Sequence, residues 1–107
     1  MKKARAHVII TGIFRGFFIR SAVKTKAKFL GVSGWIRSNT ESETEAVFEG
    51  FREDLEEIVD FLRKGPNNVV VYNFDVKWED ATEEFRDFEI RPTTNFQVAI
   101  GQAKKAS

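Results

Sequence analysis

Leu30-Gly31-Val32-Ser33-Gly34-Trp35-Ile36-Arg37-Ser38-Asn39-Thr40-Glu41-Ser42-Glu43-Thr44-Glu45-Ala46-Val47-Phe48-Glu49-Gly50 lies between two helical patterns and holds two strands. Val32, Gly34 and Ile36 alternate with Ser33, Trp35 and Arg37, the period of a strand. That run ends in polar Ser38-Asn39-Thr40-Glu41-Ser42, which reads as a hairpin turn. From about Glu43 to Gly50, Thr44, Ala46 and Phe48 point one way, and Glu43, Glu45, Val47 and Glu49 the other. One side is charged, so one side of this strand is expected to face water.

Upstream, Ala6, Val8 and Ile10 alternate with Arg5, His7 and Thr11, a half-buried strand within Ala4–Phe14. Gly12 and Gly16 bracket a loop. Val23, Ala27 and Leu30 then recur at helical spacing, and Gly31 closes that helix. Downstream, Phe51, Leu55, Ile58, Val59 and Leu62 form a second helical stripe. Glu53 and Asp54 stand in its first turn, Arg63 and Lys64 in its last, and Gly65-Pro66 stops it. Val70, Tyr72, Phe74, Val76 and Trp78 alternate through a fourth strand, Glu79 to Glu84 connect, and Phe88 with Ile90 mark a short fifth. The order βαββαβ plus a short β predicts an α+β ferredoxin-like sandwich, with two helices on one face of an antiparallel sheet. Residues 1–91 make the domain, and 92–107, where Phe96, Val98 and Ile100 alternate weakly, are a C-terminal tail or an added edge strand.

Composition bounds the chemistry. A chain of 107 residues, 42% hydrophobic and with eleven Phe, closes one core and has no room for a second domain. Seventeen basic against sixteen acidic residues leave a charge of +1, so no global field gathers nucleic acid or an anionic membrane. The lack of cysteine removes disulfides, thiolate metal sites and thiol nucleophiles, and the single His7 cannot build a His-rich metal site. No run approaches the roughly 18 apolar residues of a membrane helix, and Met1–His7 lacks the apolar stretch of a signal peptide. A cytoplasmic protein without metal or cofactor is the expectation.

The candidate site is Gly12-Ile13-Phe14-Arg15-Gly16-Phe17-Phe18-Ile19-Arg20, which joins a strand to a helix start. Unpartnered N–H groups converge there and the helix dipole favours an anion. Arg20 falls in the first helical turn, where a cation is disfavoured by a few tenths to about 1 kcal/mol unless a bound phosphate reverses the sign. The motif alone is weak, because a G-x-x-x-G loop equally permits a tight turn beside a solvated arginine. It is neither a Walker loop nor a dinucleotide fingerprint.

Gly12 through Arg20, then L-G-V-S-G-W-I-R at Leu30–Arg37, Glu45–Gly50, Gly65-Pro66 and Phe88-Glu89-Ile90 stand in the order and spacing of the acylphosphatases, which the chain resembles over roughly residues 6–91. The resemblance implies this same fold and hydrolysis of acyl phosphates without metal. It also implies a phosphate cradle built from Arg15, Gly16, Phe17, Phe18, Ile19 and Arg20, with Arg20 catalytic. The family's second catalytic residue is the Asn that ends G-W-V-R-N, and Ser38 stands there in this chain, followed by Asn39. That Asn orients water, since an amide donates and accepts at once. Ser38 has the same capacity with a shorter reach, so slow turnover is expected. Asn39 substitutes only if a bulge or turn brings it to the side on which Ser38 points.

Three functions follow from these residues. The first is acylphosphatase activity on a small acyl phosphate, with inorganic phosphate as product and ligand. The second is an anion-binding or protein-interaction module that keeps the fold without the reaction. The third, RNA binding, draws on Arg15-Gly16-Phe17-Phe18-Ile19, an echo of the R-G-F-x-F signature of RNA recognition motifs. That signature belongs on a third strand, whereas Glu43, Glu45 and Glu49 occupy the third strand here and would repel phosphate.

Overall fold

The computed structural model describes residues 2–14, 18–66 and 69–93. The elements are β1 (Lys3–Ile13), α1 (Phe18–Leu30), β2 (Ser33–Ser38), β3 (Glu43–Phe51), α2 (Arg52–Arg63), β4 (Val70–Asp80) and β5 (Phe88–Ile90). They form one sheet in the order β4-β1-β3-β2-β5. Ala6, Val8 and Ile10 of β1 and Ala46 and Phe48 of β3 turn one sheet face toward Val23 and Ala27 of α1 and Leu55, Ile58 and Leu62 of α2. The alternating and helical patterns thus meet in a single core under the two helices.

The sheet is mixed, not wholly antiparallel. β1 pairs antiparallel with β3 and β4, and β2 with β3, but β5 runs parallel to β2, with Gly34 opposite Phe88. Phe88 drives this addition: it is buried and stacks on Phe48 with ring centroids 5.5 Å apart. Gly34 permits it. Its φ is 134°, and a Cβ there would meet the Val47 carbonyl oxygen at 1.9 Å.

β4 departs from simple alternation. Its register with β1 shifts between Thr11 and Gly12, so Thr11 opposes Asn73 while Gly12 opposes Val71. The inserted residue is Tyr72, a β-bulge that leaves Tyr72 and Val70 exposed and turns Val71 toward the core instead. Phe51, expected on the stripe of α2, instead closes β3 as the α2 N-cap and is partly exposed.

The charged strand face is also not uniformly wet. Glu49 is buried beneath the β4–β5 connection, whose Thr82 N and Glu83 N each donate to its carboxylate at 2.8 Å. The Thr82 hydroxyl donates at 2.9 Å, and Arg5 Nη1 lies 3.4 Å away. Burial alone would raise the Glu49 pKa, but these donors outweigh it and hold the carboxyl below its ordinary value.

Candidate active site

β1 ends at Ile13 beside the β2–β3 turn. Gly12 N donates to the Ser42 carbonyl at 2.9 Å, and a Cβ on Gly12 would meet the Val70 carbonyl oxygen at 2.0 Å. Only glycine lets the strand pass between the bulged β4 and the hairpin turn. α1 begins five residues after Ile13, at Phe18, and carries no acidic residue in its first turn. The positive end of its dipole therefore has no intrinsic anionic partner from its own first turn.

Ile19, in that first turn, is 3% exposed and packed in the core. Its side chain anchors the helix start, which leaves only its backbone to face an anion. Arg20 follows, and its Nε is shielded from solvent without a hydrogen-bond partner among the described residues. Arg15, Gly16 and Phe17 lie outside the described residues, as does the Phe18 side chain.

A cleft of about 600 Å³ opens at this end of the sheet. Arg20 and Ser38 both line it, together with Ile13 and Phe14 from the end of β1 and Thr40 and Glu41 from the hairpin turn. Of the site residues inferred from sequence, the fold therefore brings Arg20 and Ser38 together. Ser38 pairs with Thr44 on the helix-covered side of the sheet.

Asn39 faces away. Its Oδ1 accepts from Arg37 Nε at 2.9 Å, while its Nδ2 donates to Glu43 Oε2 at 2.8 Å and to Glu45 Oε1 at 3.0 Å. Both amide hydrogens are thus spent on the opposite sheet face, and no bulge in β2 turns Asn39 toward the cleft. His7 Nε2 and Arg37 Nη2 complete the shell around Glu45. Burial opposes ionisation of Glu45, but the bonds from Asn39, His7 and Arg37 prevail and lower its pKa.

Ile13 and Phe14 fall within the Gly12–Arg20 segment expected to hold the site, whereas Thr40 and Glu41 are cleft residues that the sequence marks only as a turn. The signal for them is spatial. The β1–β3 pairing, with Thr11 opposite Glu43, sets the hairpin turn beside the strand end.

Comparison with known proteins agrees with this architecture. A family model described as Acylphosphatase matches residues 6–90. An acylphosphatase from Pelotomaculum thermopropionicum is 44% identical over 90 residues, covering 84% of this chain and 98% of that protein. One from Pyrobaculum aerophilum is 42% identical over 94 residues, covering 87% and 99%. The solved acylphosphatase of Coxiella burnetii superposes with a TM-score of 0.73 at 30% identity, covering 84% of this chain and 94% of that one. With the fold and the match over residues 6–90 in agreement, this chain belongs to the acylphosphatase family, enzymes that hydrolyse acyl phosphates to a carboxylate and phosphate.

Proposed function

We propose that Arg20 and the amides at the start of α1 hold the phosphoryl group of a small acyl phosphate, and that Ser38 orients the attacking water. The observation that carries this reading is the meeting of Arg20 and Ser38 in one cleft. The cradle extends through Arg15, Gly16, Phe17, Phe18 and Ile19, whose role rests on the family motif. Asn39 takes no part in the reaction, because its amide is committed to Glu43 and Glu45.

The chemistry needs little more. Water oxygen bonds to phosphorus as the bridging P–O bond breaks, which gives a carboxylate and dihydrogen phosphate. The leaving carboxylate has a pKa near about 4 and departs at neutral pH without a general acid. Charge develops on the phosphoryl oxygens, where preorganised donors stabilise it most. The guanidinium and the helix amides supply those donors, so the reaction proceeds without a metal or cofactor.

Ser38 sets the rate. A shorter side chain than Asn leaves water displaced from the line of attack, and a shift of about 1 Å costs around 100-fold. Turnover is therefore slow. The domain of residues 1–91 carries the reaction, with Thr93 of the following segment lining the same cleft, and the protein works on a dissolved metabolite in the cytoplasm, away from nucleic acid and membranes.

The test is hydrolysis of acetyl phosphate in a chelator, with phosphate binding followed by titration. Wild type hydrolyses and binds; Arg20→Ala does neither. Phosphate binding lost in Arg20→Ala but no turnover in wild type would identify the binding-module reading instead, which the Ser at position 38 favours.

A further inference from the structure

The other residues that line the cleft with Arg20 differ in chemistry. Ile13 and Phe14 are apolar. Ile13 is 40% exposed, a large aliphatic left uncovered at the end of β1 on the sheet face opposite to that of Val8 and Ile10. Its partner across the β1–β4 ladder, Val70, is likewise exposed because of the bulge at Tyr72. The apolar surface therefore continues from the cleft onto the neighbouring strand.

Beside them the hairpin turn presents Thr40 and Glu41 to the same cleft. Glu41 is exposed and has no ion-pair or side-chain hydrogen-bond partner among the described residues, in contrast to Glu43 and Glu45 beside it. It is the one carboxylate among the described cleft residues. An unneutralised negative charge at the mouth of a phosphate-binding cleft gives the phosphoryl group nothing. Its effect falls on whatever else the substrate carries.

We infer that Ile13, Phe14 and Glu41 select the acyl group: this enzyme takes uncharged, apolar acyl phosphates and disfavours those that carry a second negative charge. The inference rests on the assignment of Arg20 to the phosphoryl group. With the phosphoryl end held at the α1 start, the acyl chain must leave the cleft past these residues. Carbon on the Ile13–Phe14 side gains contact with already exposed apolar surface. A distal carboxylate or phosphate gains none and is repelled by Glu41. Specificity of this kind is a difference between affinities and needs a repulsive element as well as an attractive one.

The deciding pair is benzoyl phosphate and 4-carboxybenzoyl phosphate, which share a ring and a leaving group and differ in distal charge. Wild type is expected to favour the uncharged member in kcat/KM by about two- to five-fold, the range for an exposed charge pair. Glu41→Gln narrows that ratio toward one, and so does high salt, which screens exposed charges. Ile13→Thr, which keeps β-branching and strand propensity, lowers the preference for benzoyl over acetyl phosphate by roughly three-fold or more.

A wild-type ratio of one, or a ratio that Glu41→Gln leaves unchanged, overturns the role of Glu41. A benzoyl-to-acetyl ratio insensitive to Ile13→Thr overturns the apolar wall. Binding of the matching benzoylphosphonates, measured by calorimetry, reads the same preferences without turnover. Loss of hydrolysis with an intact binding ratio would therefore count against the catalytic reading and in favour of this selectivity, whereas hydrolysis without a ratio does the reverse.

Discussion

Ser38 and Asn39 are adjacent in the chain, yet they belong to opposite sides of the sheet and to opposite kinds of environment. Around Asn39 the polar groups satisfy one another: the amide binds Arg37, Glu43 and Glu45, and His7 and Arg37 close around Glu45. On the side of Ser38 they do not. Arg20 Nε has no partner among the described residues, and the cleft stands open. A buried polar group that is fully bonded stabilises one structure, whereas one left without a partner is a place for a ligand to complete. The contrast separates a structural network from the proposed site of chemistry within two consecutive residues.

The strongest way to break the contrast is Arg20→Ala. Removal of the principal charge donor should lower kcat/KM for acetyl phosphate by about 1,000-fold, in the range seen when phosphoryl or oxyanion donors are deleted. Residual activity within ten-fold of wild type would return Arg20 to the role of a surface residue. Next in size is Ser38→Asn, which should raise kcat by roughly 10- to 100-fold with little change in KM, the pattern of an interaction made chiefly in the transition state. Stopped-flow or steady-state assays on benzoyl phosphate decide it.

Asn39→Ala sharpens the contrast from the other side. It strips two donors from Glu43 and Glu45 and an acceptor from Arg37, so unfolding in urea should show a loss of about 1–3 kcal/mol. Its kcat should stay within about three-fold of wild type. A fall in kcat as large as that in Arg20→Ala would make Asn39 the water-positioning group.

A smaller effect concerns pH. Glu45 and Glu49 both titrate below the ordinary carboxylate value in the folded protein. Their contribution is therefore complete above the unfolded glutamate pKa, about 4.3, and is lost as the pH falls through the lower folded values. Glu49→Gln should be less stable than wild type at pH 7, and that deficit should shrink below about pH 4. A deficit of constant size across this window would mean that the bonds to Thr82 and Glu83 stabilise the fold without depending on the charge.

Much of the architecture was legible in the chain because each element carries its own period. The 3.6-residue stripe of Leu55, Ile58, Val59 and Leu62 and the alternation of Ala6, Val8 and Ile10 admit one inward face each, and those residues are the core. The illegible parts are those that depend on a partner strand. Tyr72 continues the alternation of β4 perfectly well by itself, but the β1 register inserts a bulge there and hands its inward place to Val71. Phe88 marks a strand without stating its direction; parallel pairing with β2 comes with the stack on Phe48 and the bond from Gly34 N to the Asp87 carbonyl.

The same division holds at the site. The residue order by itself determined that an anion-favouring helix start carries Arg20 and that Ser38 stands at the end of β2, because both follow from spacing along one chain. Tertiary structure alone decided that those two share a cleft, that Asn39 is tied down by Arg37, Glu43 and Glu45, and that Ile13 and Glu41 line the same cleft. The physical reason is that local periodicity specifies which side of an element a residue occupies, while the groups opposite it are chosen by pairing and packing across residues far apart in sequence.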